Sequence, residues 1–422
     1  MNIIEDNNHV ILQNPHYIFC YKIEKNKNIK IFNFRISLKD FIGLHYDSFY
    51  VYCDGKFTRS RQSTYDDKIV LNNYNESYEE NKIIIDDQII SNEIARSNTS
   101  FVDRSEYSKY KYVQRKKRKI CLELALLRPT PALIWKVMSI RCANKICYIS
   151  FQDLANLTCL YNVNSDKNKK IMVFETCQGL IIGTLLRKQG GQGTIIQVYH
   201  GDFPNRTCID YMQLPQSHFN SIFSVNFQNI LKMGMKLQYS IDKPINENSD
   251  FCDNNGIAII KKKDDHNTVC DSNGKKYLDD DDLSLPKRDN VKLLKHIEIV
   301  TKRKYEEEKA IEIIFPQGGD FNDFRSMDSL IIASKFHPKH IALSLMRFLK
   351  YSRPIAIYSQ YREPLLDCYQ ALKKTDCFID LQISETWLRE HQVLPDRTHP
   401  VINMDGRYGY ILSGIHVNPT ME

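Results

Sequence analysis

The chain has 422 residues, of which 42% are hydrophobic and 26% are charged. These values are typical of globular proteins with a substantial core, and the length favours two domains, so a wholly disordered or fibrous protein is excluded. No apolar run approaches the roughly 20 residues that a membrane-spanning helix needs, and the first residues do not form a signal peptide. We therefore expect a soluble intracellular protein.

Short runs of β-branched and aromatic residues fill the N-terminal part of the chain. They lie at Val10–Leu12, Tyr17–Ile23, Ile29–Phe34 and Phe49–Tyr52. Runs of this kind, separated by turns, indicate antiparallel strands. We predict that residues 1–106 form a small antiparallel β-barrel or sandwich, and modules of this type more often bind partners than carry out chemistry.

A basic strip, residues 107–119, opens a connector that we expect to extend to residue 170 and to be helical after the strip. The strip has seven basic residues, three tyrosines and no acidic residue, whereas the net charge of the whole chain is only +7. It fits a solvated linker or a nuclear localisation signal. It also fits a phosphate-binding segment whose aromatic residues stack on bases. Both roles can coexist, and we favour nucleic-acid contact as the main one.

Continuous apolar strands alternate with helical stretches in the rest of the chain. The strands are predicted at Ile171–Phe174, Thr194–Tyr199, Ser329–Ala333, Pro354–Tyr358, Phe378–Ile383 and Gly409–Ile415. This alternation predicts a parallel doubly wound sheet, and hence a Rossmann-like α/β domain over residues 171–422. A polar insert at about 243–304 lacks sustained apolar periodicity until the stretch Val291–Val300, and we expect it to be mobile.

The turn after the first of these strands has the position of a nucleoside-cofactor site but only part of its residues. An S-adenosylmethionine site would read acid-x-Gly-x-Gly-x-Gly, whereas Cys177 and Ile181 replace two of the glycines here and Glu175 and Gly179 remain. Side chains at the glycine positions keep the backbone away from a ligand. The second strand, which ends at Tyr199, lacks the acid that would hold ribose hydroxyls. We expect this site to be closed.

Cysteines and histidines give no stronger chemical signal. Cys177 could be a thiol nucleophile on a strand-to-helix turn, but no histidine lies near it in the sequence and we favour a packing role. The 12 cysteines form no Cys-x-x-Cys pair, so we expect reduced thiols. His337 and His340 have helical spacing, but no cysteine or carboxylate joins them, so no metal site is predicted.

Two later segments carry candidate phosphate-binding groups. Lys335 follows a predicted strand at its carboxyl end, where this fold binds ligands, and its charge suits a phosphate better than an adenine amine. The segment Ser384–Pro400 joins the last two strands, and its prolines favour a stiff loop that presents Arg397 and His399. The same loop could instead be a simple cap in which Asp396 and Arg397 pair.

At these residues the chain closely resembles the non-catalytic subunit of the eukaryotic tRNA (adenine(58)-N(1))-methyltransferase. The matching stretches span most of the chain: Lys111–Ile120, Leu127–Thr130, Val173–Leu180, Gly193–Gln197, Ala333–Pro338, Ser352–Pro354, Gln360–Leu366 and Ser384–Pro400. The resemblance implies a class I methyltransferase fold with a degenerate cofactor site, preceded by the N-terminal barrel. It also implies a nuclear heterotetramer of two such subunits and two catalytic subunits, in which the catalytic subunit binds S-adenosylmethionine and this chain helps to bind tRNA.

The tRNA contacts that the resemblance implies fall on four parts of the chain. They are Lys111, Tyr112, Arg115, Lys116, Lys117, Arg118 and Lys119 in the basic strip, then Lys335, then Lys373 and Lys374, and finally Gln392, Pro395, Asp396, Arg397, Thr398 and His399. No catalytic, cofactor-binding or metal-binding residue is assigned. Two alternatives stay open: an active S-adenosylmethionine-dependent methyltransferase with an unusual site, and a non-enzymatic RNA-binding scaffold.

Overall fold

The N-terminal residues form a five-stranded antiparallel sheet. The computed structural model describes residues 3–14, 17–53, 55–60, 122–159, 168–233, 287–315, 324–393, 398–402 and 408–419. The first seven strands are β1 (His9–Asn14), β2 (Tyr17–Lys22), β3 (Asn28–Ile31), β4 (Phe34–Ser37), β5 (Ser48–Cys53), β6 (Lys56–Ser60) and β7 (Leu122–Leu127). The sheet has the order β2-β1-β7-β5-β6, and β3 pairs with β4 in a separate hairpin.

Two features of the N-terminal part of the chain differ from the sequence prediction. The predicted strand Ile29–Phe34 is a hairpin, because Phe32 adopts a φ of +52° and reverses the chain. Strand β7 comes from the predicted connector and pairs with both β1 and β5 at the centre of the sheet. Within the described ranges the sheet is open, with β2 and β6 at its edges. A closed barrel stays a prediction.

The second part of the chain forms a seven-stranded sheet. Its strands are β8 (Lys170–Glu175), β9 (Thr194–Tyr199), β10 (Ile222–Asn226), β11 (Ser329–Ala333), β12 (Arg353–Ser359), β13 (Phe378–Glu385) and β16 (Tyr410–His416). Their order is β10-β9-β8-β11-β12-β16-β13, and β8 to β12 are parallel. The doubly wound parallel sheet is therefore confirmed, except that β16 runs antiparallel to both of its neighbours. The reversal follows from the segment between β13 and β16, which begins and ends at the same edge of the sheet.

Helices cover both faces of this sheet. They are α1 (Pro131–Cys142), α2 (Phe151–Cys159), α3 (Leu180–Gln189), α4 (Thr207–Tyr211), α5 (Gln216–Phe219), α6 (Lys287–Ile314), α7 (Pro338–Leu345) and α8 (Arg362–Lys373). A further helical segment occupies residues 227–233, and the short strands β14 (His391–Gln392) and β15 (His399–Pro400) pair in a hairpin. Helix α6 begins inside the predicted polar insert, whose residues 243–286 lie outside the described part.

Alternating side chains of β8 divide the interior into two cores. Ile171 and Val173 pack with α1, α2 and α3, whereas Met172 and Phe174 pack with α6, α7 and α8. The first core also contains Ile11 and other residues of the N-terminal sheet. One continuous apolar core therefore joins the two sheets, which explains why the N-terminal sheet is fixed next to α1.

The described residues bear on three expectations, which concern cysteine thiols, membrane-spanning helices and groups of metal ligands. Eight cysteines there have free thiols, whereas Cys53 is disulfide-bonded, so the expectation of reduced thiols is wrong at that position. None of the described helices is both long enough and apolar enough to cross a membrane. No group of three or more potential metal ligands occurs within those residues.

The glycine that directly precedes β16 provides a test of how tightly this core is packed. A methyl group at Gly409 would overlap the ring of Tyr358, which is 1% exposed and whose hydroxyl donates to the carbonyl of Cys147. Because the ring cannot move without breaking that hydrogen bond, we expect Gly409→Ala to lower the free energy of unfolding by about 1–3 kcal/mol. Urea denaturation of the full chain measures this change.

Gly183→Ala is the matched control for that variant. Its new methyl group would lie 2.7 Å from Sδ of Met212, but this side chain is flexible, and alanine raises helix propensity by about 1 kcal/mol. We expect little net change for the control. Equal stability changes for the two variants would contradict the packing described at Tyr358.

Candidate nucleic-acid interface

Five parallel strands end at the same edge of the seven-stranded sheet, here called the carboxyl edge. The strands end at Glu175, Tyr199, Asn226, Ala333 and Ser359. In doubly wound folds this is the edge at which ligands bind. The residues that follow these strand ends therefore decide what the surface can bind.

Glu175, the acid of the predicted cofactor turn, is bonded to its own helix. Its side-chain oxygens accept hydrogen bonds from the backbone N–H groups of Ile182 at 3.1 Å and Ile181 at 3.3 Å. These N–H groups belong to the first turn of α3 and have no partner within that helix. Only 7% of Glu175 is exposed. The acid thus caps α3 instead of facing an open ligand site.

The glycine turn itself is covered by the chain segment 205–209. Gly179 has a φ of +78°, and a methyl group there would lie 3.1 Å from Cα of Arg206 and 3.1 Å from Cγ1 of Ile209. The N–H of Cys208 donates to the carbonyl of Gln178 at 2.9 Å, which ties this segment to the turn. Because protein backbone fills the space next to Gly179, the residues present do not fit a nucleoside cofactor at this turn.

The covering segment is anchored by the side chain of Arg206. Its guanidinium donates to Gln197 at 3.1 Å, to Ser224 at 2.7 Å and to Glu306 of α6 at 2.8 Å. Both partners of the ion pair are largely buried, with 18% and 14% of their side chains exposed. A charge-assisted pair with these additional hydrogen bonds holds residues 205–209 over the ends of β9 and β10.

The sequence predicts a closed cofactor turn, but the prediction attributes the closure to Cys177 and Ile181. Ile181 is fully buried in the core together with Cys177, so it is part of the packing under the turn. The closure comes mainly from Arg206 and the residues next to it. Since Arg206 and Glu306 are 100 positions apart, no local pattern in the sequence could have identified their contact.

The environment of Cys177 fits packing and not nucleophilic catalysis. Cys177 is completely buried, and its thiol donates to the carbonyl of Ala333 at 3.6 Å. A hydrogen bond with Cys147 raises the pKa of Cys177, and burial raises it further. A neutral, inaccessible thiol is a poor nucleophile.

Lys335 lies at the carboxyl edge, immediately after β11. Its backbone N–H donates to the hydroxyl of Thr176 at 3.0 Å, and the backbone N–H of Thr176 donates to Ala333 at 3.0 Å. The loops after β8 and β11 are therefore bonded to each other, while the Lys335 residue is exposed. This arrangement presents a positive charge to solvent where the fold binds ligands.

The hairpin β14–β15 is connected to the same edge. It follows β13, and the connection begins with Thr386, whose hydroxyl donates to buried Asp153 at 2.6 Å. Asp153 also accepts from the Ser150 hydroxyl at 2.7 Å. Gln392 pairs with His399 across the hairpin, and His399 is exposed. Asp153 thus fixes where the hairpin leaves the sheet, a role that the sequence did not reveal.

Lys373 and Lys374 lie at the opposite edge of the sheet from Lys335. Helix α8 starts beyond the carboxyl end of β12 and runs back along the strand, so both lysines precede the first residue of β13. Both are exposed. Because β12 has seven residues, the two edges are about 20 Å apart. The structure therefore places Lys335 and the start of the connection to the hairpin at one edge of the sheet, and Lys373 and Lys374 at the other.

The remaining predicted contacts lie outside the described residues. They are Lys111, Tyr112, Arg115, Lys116, Lys117, Arg118 and Lys119 of the basic strip, together with Pro395, Asp396 and Arg397 of the hairpin loop. Thr398 and His399 follow that loop and are exposed. The contact role of all these residues stays a prediction.

The cap formed by Glu175 predicts a pH dependence of stability. Burial raises the pKa of Glu175 to about 8 from an ordinary value of 4.5, although the two backbone N–H groups act in the other direction. The folded chain thus holds this proton more tightly than the unfolded chain. The resulting stabilisation is complete below pH 4.5 and is lost as the pH rises toward 8. Glutamine at this position has a similar shape and does not titrate.

We expect the wild-type chain to lose stability relative to Glu175→Gln as the pH rises from 5 to 8. The difference in the free energy of unfolding should change by at most about 1.4 kcal/mol for each pH unit. Urea denaturation of both proteins at several pH values measures it, and other titrating groups such as Asp153 cancel in the comparison. Parallel pH profiles would show that Glu175 is not held in the buried environment described here.

Comparison with known proteins gives consistent results. The model of the Gcd10p family matches residues 80–255. The chain is 32% identical over 342 residues to the tRNA (adenine(58)-N(1))-methyltransferase non-catalytic subunit TRM6 of Mus musculus. The aligned region covers 78% of this chain and 67% of the relative. It is 28% identical to the subunit of the same name from Dictyostelium discoideum, over all of this chain and 81% of the relative.

A solved structure supports the fold. The S-adenosylmethionine-dependent O-methyltransferase of Thermotoga maritima matches with a TM-score of 0.50 and 10% identity, over 100% of this chain and 97% of that chain. This likeness shows a Rossmann-like methyltransferase fold. The match to the mouse subunit, at 32% identity over two thirds of its length, and the match to the Gcd10p family model show more than the fold. The chain belongs to the family of TRM6 non-catalytic subunits of tRNA (adenine(58)-N(1))-methyltransferase.

Proposed function

We propose that this chain is the non-catalytic, tRNA-binding subunit of a tRNA (adenine(58)-N(1))-methyltransferase complex. In this complex a catalytic partner binds S-adenosylmethionine and methylates the T-loop adenine, while this chain helps to position the tRNA. The observation that carries the proposal is the covered turn at Gly179, where residues 205–209 occupy the space next to the glycine. Family membership favours this function over both an active methyltransferase with an unusual site and a scaffold without an enzymatic partner.

The absence of catalysis follows from three features of the cofactor turn. Glu175 is committed to the N-terminus of α3, so it is not free to bind a ligand. The end of β9 contributes Gln197, which is hydrogen-bonded to Arg206, instead of an exposed acid. Third, residues 205–209 cover the turn at Gly179, and replacing one side chain of the turn by glycine would leave this segment in place. We infer that this chain binds no S-adenosylmethionine.

The tRNA-binding role is supported by the position of the basic residues. Lys335 and the hairpin β14–β15 lie at the carboxyl edge, whereas Lys373 and Lys374 lie about 20 Å away at the opposite edge. A heterotetramer with two copies of this chain and two catalytic subunits would allow different edges of different copies to face one tRNA. The basic strip, residues 107–119, adds a further phosphate-binding segment and a signal for import into the nucleus.

The salt dependence of tRNA binding tests the contact at Lys335. A lysine that neutralises one phosphate contributes roughly one unit to the slope of log affinity against log salt. We expect Lys335→Gln to reduce that slope by about one unit in the purified complex with the catalytic partner. We expect the double variant Lys373→Gln with Lys374→Gln to reduce it by about one to two units.

Lys309→Gln is the matched control. Lys309 is an exposed lysine that pairs with Glu312 at 2.7 Å, so its charge is already neutralised within α6. Its replacement should leave the slope unchanged. If the complex with the Lys335 variant retains the wild-type slope and affinity, Lys335 does not contact tRNA. If the wild-type complex binds no tRNA, the proposed function is wrong as a whole.

A further inference from the structure

Aromatic side chains are concentrated at the carboxyl edge, where a cofactor would bind in related folds. The ring of Phe336, which follows Lys335, lies 5.1 Å from the ring of His200 in an edge-to-face arrangement. It also lies 6.5 Å from the ring of Phe174 at the end of β8. Phe203 lies three residues beyond His200 in the loop after β9. The exposed rings of Phe203 and Phe336, together with the rings of Phe174, Tyr199 and His200 at the ends of β8 and β9, are here called the aromatic platform.

An arginine of α6 extends this platform. The guanidinium of Arg303 lies 5.0 Å from the centroid of the Phe203 ring and 5.7 Å from that of the Tyr199 ring. Its Nε donates to the Tyr199 hydroxyl at 3.1 Å. Arg303 is thus held in a fixed orientation between a buried ring and an exposed ring.

The outer rings are exposed, whereas the rings beneath them are buried. Phe203 is 59% exposed and Phe336 is 46% exposed, while Tyr199 is 4% exposed and Phe174 is 1% exposed. The buried rings fix the platform, and the outer rings present apolar faces to solvent. Exposed aromatic groups that are supported in this way are typical of binding surfaces.

A positive group accompanies each exposed ring, which favours a nucleic acid over a purely apolar partner. The guanidinium of Arg303 lies over the Phe203 ring, and Lys335 directly precedes Phe336 in the chain. Among the acids, Glu306 is paired with Arg206, whereas Glu307, bonded to the neutral amide of Asn229, and Asp202 keep their charge. A ligand that combines flat apolar rings with negative groups between them matches this pattern. Unpaired nucleotides have this composition.

We propose that Phe203 and Phe336, together with Arg303, stack on unpaired bases of the bound tRNA. The proposal rests on the proposed function, because it assumes that tRNA reaches the carboxyl edge. It adds a contact of a different kind from that of Lys335, since stacking involves base rings and not phosphates. The edge that binds a nucleoside cofactor in enzymes of this fold would here bind nucleosides that belong to the RNA.

The test uses the complex of the full chain with its catalytic partner and an unmodified tRNA transcript. In the double variant Phe203→Leu with Phe336→Leu, the apolar bulk stays and the aromatic faces are lost. Stacking of one base on an aromatic ring corresponds to a change in affinity of about fivefold or more. We expect tRNA affinity to fall by at least that factor, while the slope against salt is unchanged because no charge is removed.

Two further variants control for side-chain size and for position. Phe32→Leu changes a phenylalanine that is 51% exposed in the β3–β4 hairpin, and it should leave tRNA affinity unchanged. Phe203→Tyr with Phe336→Tyr keeps the aromatic faces, and it should retain near-wild-type affinity. Loss of affinity in the leucine variant without rescue by tyrosine would point to a general packing defect and would overturn the stacking proposal.

The remaining outcomes separate this proposal from the proposed function. If the wild-type complex binds tRNA and the leucine variant binds equally well, the platform does not stack on bases and only this inference fails. If the leucine variant no longer assembles with the catalytic partner, the platform is part of a protein interface, which also overturns the proposal. Failure of the wild-type complex to bind tRNA would instead reject the proposed function.

Discussion

Arg206 holds a short stretch of chain against the turn that follows β8, and the properties of the carboxyl edge depend on this contact. Its hydrogen bonds to Gln197 and Ser224 and its ion pair with Glu306 fix residues 205–209 next to Gly179. Because that space is filled, Glu175 cannot contact a ligand there, and its carboxyl group caps the N-terminus of α3 instead. A cofactor pocket is thereby replaced by a closed surface on an intact methyltransferase fold.

Closure of the pocket leaves the edge available for other contacts. Lys335 is fixed by Thr176, and the hairpin β14–β15 is fixed through Asp153, so charged and polar groups are presented from a rigid base. Lys335 follows β11, which is the neighbour of β8, and the turn after β8 is where an enzyme of this fold would hold its cofactor. The geometry therefore connects the closed cofactor turn with the RNA-binding role that we propose for this edge, because both depend on the residues placed there.

The sequence predicted the features that depend on local patterns. Apolar runs located most strands of both sheets, and the substitutions at Cys177 and Ile181 indicated a closed turn. The features it missed depend on contacts between distant residues: β7 joins a sheet that begins over 100 residues earlier, and Arg206 pairs with Glu306 across the polar insert. The turn at Phe32 and the reversal of β16 were missed because residue periodicity carries no information about chain direction.

The central claim, that residues 205–209 close the cofactor turn, is tested most directly by calorimetry. S-Adenosylmethionine would be titrated into the isolated chain and into its purified complex with the catalytic partner. We predict no binding to the isolated chain at cofactor concentrations that saturate the complex, and one bound cofactor for each catalytic subunit. Saturable binding to the isolated chain, or one cofactor for every subunit of both kinds, would contradict the account.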